Sequence, residues 1–164
     1  MRVVFVCTGN TCRSPMAAAL FRDRLERHPE LCALEFTVES AGLCAASGAP
    51  ISPGAERALA KVGLSAAGHS AQPFTERFKE FDLILTMTEA HKAQVLLSYP
   101  EVARNVYTLK EYAGLDGGPD IDDPFGRDDG AYDACLGEIA RAVEKAVERL
   151  SEELRSEAEE DGSE

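Results

Sequence analysis

The 164-residue sequence contains no CxxC pair, no HExxH segment and no grouping of cysteine and histidine at metal-ligand spacing. A structural or catalytic zinc is not expected, and no metal or cofactor is assigned. Basic residues are scarce beside acidic ones: 17 Lys and Arg stand against 29 Asp and Glu, a net charge of −12. Nucleic acids and anionic membranes recruit proteins through clustered Lys and Arg, so neither is expected as a partner. Long apolar runs are missing as well. The N-terminal run from Val3 to Cys7 is too short for a signal core and far too short to cross a bilayer, which points to a cytoplasmic protein. Cysteine is present but odd in number (Cys7, Cys12, Cys32, Cys44, Cys135), which argues against a disulfide framework in that compartment.

What remains is ordinary for a folded protein: 45% hydrophobic residues, 28% charged, and a length that suits one core. We expect a monomer. Charge is unevenly spread. Residues 151–164 hold seven acids and one base, a net charge of −6 and half of the total. We assign residues 1–154 to the folded domain and expect 155–164 to be a disordered acidic tail.

Hydrophobic periodicity alternates between strands and helices. Val3 to Val6 is a continuous β-favouring run, as in a strand buried on both faces. From Ser14 the spacing changes to that of a helix, with Ala17, Leu20, Phe21 and Leu25 on one stripe and Pro15 just inside its start. Leu34 to Val38 reads as a second strand, and Ala55, Ala58, Leu59 and Val62 as a helix ended by Gly63. Phe81 to Met87 is a third strand, followed by a helix opening near Thr88. Asn105 to Leu109 is a fourth strand, and residues 112–130 form a loop rich in Gly, Asp and Pro. Leu136, Ile139, Val143, Val147, Leu150 and Leu154 mark a last helix. The alternation predicts a single α/β domain: a four-stranded parallel sheet with helices on both faces. In such sheets the functional crevice lies beyond the carboxyl ends of the strands.

The loop after the first strand is Cys7-Thr8-Gly9-Asn10-Thr11-Cys12-Arg13-Ser14. Its residue types suit one task, the holding of a tetrahedral oxyanion beside a thiolate. A glycine in a tight turn lets backbone N–H groups converge on an anion, and the helix start adds unpaired N–H groups. Arg13 offers a planar fork for two phosphate oxygens. The same positive field stabilises a thiolate at Cys7. Ser14 is placed to donate a hydrogen bond to that sulfur.

VCTGNTCRSPMA fits the C-x5-R-S signature of the low-molecular-weight protein tyrosine phosphatases, and the sequence resembles that family over about residues 2–150. A second element, Asp123-Pro124-Phe125-Gly126, resembles the family's general-acid loop before the last helix. Ser40-Ala41-Gly42 and His69 also look like family positions. The resemblance implies that Cys7 attacks phosphorus, that Arg13 and the amides of Thr8 to Ser14 hold the phosphoryl oxygens, and that Asp123 protonates the leaving group. It further implies that Asn10, Ser14, Ser40 and His69 form a hydrogen-bond network that props the loop. Glu111 to Asp133 contains eight acids, and Asp122 stands beside Asp123. The choice of Asp123 rests on the Asp-Pro-aromatic match, because Pro124 restricts the residue before it.

The resemblance implies that the substrate is a phosphorylated protein, and two side-chain chemistries compete. Thr11 in mid-loop and Phe125 after Asp-Pro depart from the tyrosine-specific pattern, and CTGNTCRSPMA resembles the protein-arginine phosphatase branch. A hydroxyl at Thr11 and carboxylates such as Asp122 suit a polar guanidinium leaving group. A tyrosine phosphatase with Thr11 as filler is the alternative. Arsenate reductases share the loop but need two further cysteines, and residues 78–100 contain none. A non-catalytic phosphate-binding or redox module would not need Cys7, Arg13 and Asp123 together. Cys12, five residues from Cys7, is a candidate redox partner that could form a reversible disulfide with it. Cys32, Cys44 and Cys135 are expected to be inert.

Overall fold

The protein, a computed structural model describing residues 1–162, is built on one parallel sheet of four strands in the order β2-β1-β3-β4. β1 (Arg2–Cys7) pairs with β2 (Thr37–Gly42) and β3 (Leu83–Thr86), and β3 pairs with β4 (Val106–Thr108). The helices are α1 (Arg13–Arg27), α2 (Pro53–Lys61), α3 (Glu89–Ser98), the single turn α4 (Leu109–Tyr112) and α5 (Asp129–Asp161). From β1 the chain moves outward to β2, then returns to the other side for β3. The strand order therefore reverses at the carboxyl end of β1, where a crevice opens.

Alternation along β1 splits the interior into two cores. Val3, Phe5 and Cys7 face the layer of α1, α2 and α5, while Val4 and Val6 face Phe78, Phe81, Val95 and Val102. The period of two fixes the direction of Cys7: its side chain joins the face carrying α1, beneath the helix that its own loop begins.

The strands differ in extent from the expected ones. β2 begins three residues later than Leu34, which is 50% exposed, and runs on through Ser40, Ala41 and Gly42. Register decides this, since the six residues from Arg2 to Cys7 pair with Thr37 to Gly42 one for one. The Leu109 end of the expected fourth strand turns into α4, because Thr108 and Glu111 form a reciprocal capping box. α2 ends one residue before Val62, and Gly63 follows with φ 77°.

The expected disordered tail is corrected as far as Asp161. α5 runs 33 residues without interruption. Arg155 pairs with Glu30 at 2.9 Å, and Ser151 donates to the same carboxylate, tying the acidic end of α5 to the segment after α1. Good helix formers do the rest. Residues 163 and 164 of that segment lie outside the described residues. Among the described residues no helix is long and apolar enough to cross a membrane.

α2 crosses α5 at a glycine. A Cβ on Gly54 would lie 2.5 Å from the ring of Tyr132. Within α5, Gly137 has nothing within 4 Å of the corresponding position. The same substitution therefore has opposite signs at the two sites. Gly54→Ala should destabilise by about 1–3 kcal/mol through overpacking, and Gly137→Ala should stabilise by up to about 1 kcal/mol through helix propensity. Urea midpoints of the two variants against wild type check both, and equal midpoints would contradict the packing argument.

Candidate active site

The loop from Cys7 to Ser14 spans the reversal point, and its shape is set by Asn10 rather than by Gly9. Asn10 has φ 56°, the only non-glycine residue with positive φ among those described, and it is fully buried. Asn tolerates this left-handed conformation because its short amide can bond locally. Its Nδ2 donates to Ser14 Oγ and to Ser40 Oγ, each at 2.8 Å. Its Oδ1 accepts from the Gln72 amide at 3.0 Å, and its carbonyl accepts from His69 Nε2 at 2.6 Å. The four residues of the expected network are thus in contact through one residue, its side chain meeting Ser14 and Ser40 and its backbone carbonyl meeting His69. Gln72 is a fifth member that the sequence reading missed.

The network directs a proton. Ser14 Oγ lies 2.9 Å from Cys7 Sγ, and it already accepts a hydrogen from Asn10. Its own proton is therefore free for the sulfur. The Asn10 backbone N–H donates to the same sulfur at 3.2 Å. Two donors converging on one buried sulfur suit a thiolate.

β2 holds the loop from the side. A Cβ on Gly42 would meet Thr8 O at 2.6 Å and Asn10 N at 2.9 Å, so this strand end must be a glycine for the loop to lie against it. The chain then returns beside Gly42: Gly42 donates to Gln72 O and Phe74 donates to Gly42 O, which brings His69 and Gln72 under the loop. Arg13 and Ser14 begin α1.

Arg13 is 5% exposed and reaches across to the loop between α4 and α5. One guanidinium nitrogen donates to Ile121 O at 2.9 Å and the other lies 3.4 Å from Asp123 Oδ2. Ile121 is tied in turn to the end of β3 through Met87 O. Asp123 Oδ1 accepts from the Phe125 amide at 3.1 Å, a local turn that fixes the carboxylate above the loop. Asp123 and Phe125 both line a cleft of about 290 Å³ with Cys7, Thr8, Thr11 and Arg13. Asp122 is exposed and does not line it; its carbonyl receives the Cys135 thiol at 3.7 Å. Ser40 and His69 lie behind the loop, on the wall of a second cavity.

The cysteines fall into distinct settings. Cys12 is buried at the cleft, with its sulfur 3.0 Å from Ser52 Oγ and 3.6 Å from the Tyr132 hydroxyl. Cys44 is exposed at the cleft rim, a position that its sequence context did not signal. Burial pushes the Cys135 thiol up to about 12, in keeping with an inert residue. His91 is a further member that sequence reading missed. It comes from the first turn of α3, and its Nε2 lies 2.9 Å from Thr8 Oγ1. Among the described residues no group of three or more His, Cys, Asp and Glu side chains is placed to hold a metal ion. A sulfur with two donors, a buried guanidinium and a carboxylate around one cleft can together bind a phosphoryl group, attack it and protonate what leaves.

Known proteins are similar to this chain in sequence and in fold. Residues 2–158 match the family model of the low molecular weight phosphotyrosine protein phosphatases. The chain is 40% identical to the protein-arginine-phosphatase of Geobacillus stearothermophilus over 157 residues, covering 95% of this chain and 97% of the relative. It is 40% identical over 126 residues to the low molecular weight protein-tyrosine-phosphatase PtpB of Staphylococcus haemolyticus, covering 77% of this chain and 83% of the relative. Among solved structures, a cysteine-to-serine mutant of YwlE arginine phosphatase with a phosphorylated active site serine superposes with a TM-score of 0.85 at 36% identity, covering 94% of this chain and 99% of that one. The fold, the cleft and these similarities together place the chain in the low molecular weight phosphotyrosine protein phosphatase family.

Proposed function

We propose that the protein is a cysteine-dependent protein phosphatase that hydrolyses phosphoarginine in proteins through a cysteinyl-phosphate. The convergence of the Ser14 hydroxyl and the Asn10 amide on Cys7 Sγ carries the reading, because it supplies a stabilised sulfur nucleophile beside a buried arginine. Cys7 attacks phosphorus in line, a sulfur–phosphorus bond forms, and the bond to the leaving group breaks. Arg13 and the amides of Thr8, Gly9, Thr11, Cys12 and Ser14 hold the equatorial oxygens, while the Asn10 amide stays on the sulfur. Asp123 gives its proton to the leaving nitrogen, then takes one from the water that hydrolyses the intermediate. The phosphorylated serine of the cysteine-to-serine YwlE arginine phosphatase mutant supports a phosphoryl group carried on Cys7. The reaction needs no metal or cofactor, and we assign it to a cytoplasmic monomer.

Arginine is preferred over tyrosine on the Thr11 hydroxyl that lines the cleft and on the named relatives. Thr11 offers a hydroxyl where an apolar side chain would otherwise pack on an aromatic ring. The 40% identical relative from Geobacillus stearothermophilus, matched over nearly its whole length, is named an arginine phosphatase. Phe125, 70% exposed at the rim, can lie against the flat guanidinium face. The tyrosine reading retains the support of the PtpB relative.

Thr11→Ile separates the two readings. Ile keeps the β-branch, so the loop backbone should survive. The lost polar contact, about 1–3 kcal/mol, should lower kcat/KM on phosphoarginine by roughly one to two powers of ten and leave or raise that on phosphotyrosine. An unmoved ratio, or a wild type that prefers phosphotyrosine, would reject the arginine reading.

Asp123→Asn should slow hydrolysis by roughly 10²–10⁴-fold, less so for an aryl phosphate with a good leaving group. A larger effect from Asp122→Asn would move the acid by one residue. Cys7→Ser should lose turnover and still bind inorganic phosphate.

We further propose that Cys12 protects Cys7. Peroxide converts the Cys7 thiolate to a sulfenic acid, and the Cys12 thiol displaces water from it to give a disulfide. Without Cys12 a further equivalent of peroxide oxidises the sulfenic acid to the sulfinic acid, which thiols do not reduce, so peroxide inactivation should be reversed by dithiothreitol in wild type and not in Cys12→Ser. Equal recovery in both would remove Cys12 from that role.

A further inference from the structure

Thr8 follows the nucleophile directly and lines the cleft with Cys7, Arg13 and Asp123. Its hydroxyl oxygen is 2.9 Å from Nε2 of His91, a residue 83 positions away in the sequence. His91 is buried, and its other ring nitrogen, Nδ1, is enclosed with no hydrogen-bond partner among the described residues. Burial, and next the nearby Arg13, push the ring down to about 4 against the opposing pull of Asp120 and Asp123. The ring is therefore neutral near pH 7 and carries one proton. On Nδ1 that proton would be a buried donor with no acceptor; on Nε2 it reaches Thr8 Oγ1. The enclosure of Nδ1 thus fixes the tautomer, and Thr8 accepts from His91. A hydroxyl that accepts from one side has its own proton to give on the other.

We infer that His91 is a positioning residue that orients the Thr8 hydroxyl so that Thr8 donates a hydrogen bond to a phosphoryl oxygen of the bound substrate. The inference rests on the phosphatase reading above and adds a donor to it. Its frame is rigid: the His91 amide donates to Thr88 Oγ1 at 3.1 Å and the Glu89 amide to Asp120 Oδ1 at 2.8 Å, so the start of α3 is pinned to the loop that carries Asp123. A neutral donor also suits turnover. Arg13 already supplies the cation, and a second charge held equally against substrate and product would slow phosphate release without favouring the transition state.

The test is a double-mutant cycle on aryl phosphate hydrolysis, with inorganic phosphate as competitive inhibitor. Thr8→Val should lower kcat/KM roughly tenfold and weaken phosphate inhibition. His91→Phe should do the same, and the double variant should be no worse than either single one. Thr8→Ser and His91→Gln, which keep the hydroxyl and an Nε2 donor, should recover most of the loss. Full activity of Thr8→Val overturns the inference, as does a His91→Phe loss of the same size in the Thr8→Val background. Should His91→Phe fail to fold, Thr8→Val and His91→Gln decide alone, since Thr8 is exposed and His91→Gln keeps the ring's donor. A wild type without activity on any phosphoester removes the phosphatase reading and this inference together; an active wild type with an indifferent Thr8→Val removes only the inference.

Discussion

Asn10, through its side chain and its backbone, is the fixed point around which the loop from Cys7 to Ser14 is arranged. It is buried, and each of its polar groups is used: two amide protons, the amide oxygen, the backbone N–H and the carbonyl. Leaving any one of these unpaired in the interior would cost about 1–3 kcal/mol, so the five partners specify one conformation. That conformation has positive φ, which most side chains resist and Asn accepts. An aspartate of the same shape would lack the two amide donors, and the chain of hydrogen bonds from Asn10 through Ser14 to Cys7 could not start.

The surrounding fold supplies what that one residue needs. β2 delivers Ser40 at hydrogen-bond distance and Gly42 at backbone-contact distance. The segment paired with Gly42 delivers His69 and Gln72 from below. Because these groups come from three parts of the chain, the loop is ordered only when the sheet is. A network with every member satisfied rigidifies its surroundings, whereas one with a missing member is costly.

Arg13 links this rigid floor to a more accessible wall. Its bond to Ile121 O is buried, while its contact with Asp123 is 3.4 Å long and the carboxylate is half-exposed. At that length, and with the carboxylate open to solvent, the contact is a weak one, so in the proposed mechanism Asp123 can leave it for a leaving group at small cost. The guanidinium meanwhile keeps its backbone anchor and, in that mechanism, stays in place for the phosphoryl oxygens. His91 belongs to the same economy of charge: burial and Arg13 hold it neutral, leaving one cation at the floor of the cleft.

Much of this was legible in the sequence because it is local. The Val3–Val6 run, the Ser14-Pro15 helix start and the stripe from Leu136 to Leu154 each carry a period that a strand or helix imposes on its own residues. The C-x5-R-S loop is likewise contiguous, so Cys7, Arg13 and Ser14 could be named together, and Asp123 followed from a second short motif. What the sequence left undetermined depends on pairing across distance. The extent of β2 is set by its register with β1, and not by where its apolar residues begin. The acidic end of α5 is helical where Glu30, over a hundred positions earlier, meets Arg155 and Ser151. Gln72, Tyr132 and His91 carry no periodicity and no motif; only the folded chain brings their polar atoms to Asn10, Cys12 and Thr8. The sequence by itself determined the fold class and marked the candidate reacting groups, since both are written in neighbouring residues. Tertiary structure alone decided which atom each group faces, because a hydrogen bond or a close contact is a fact about distance in space.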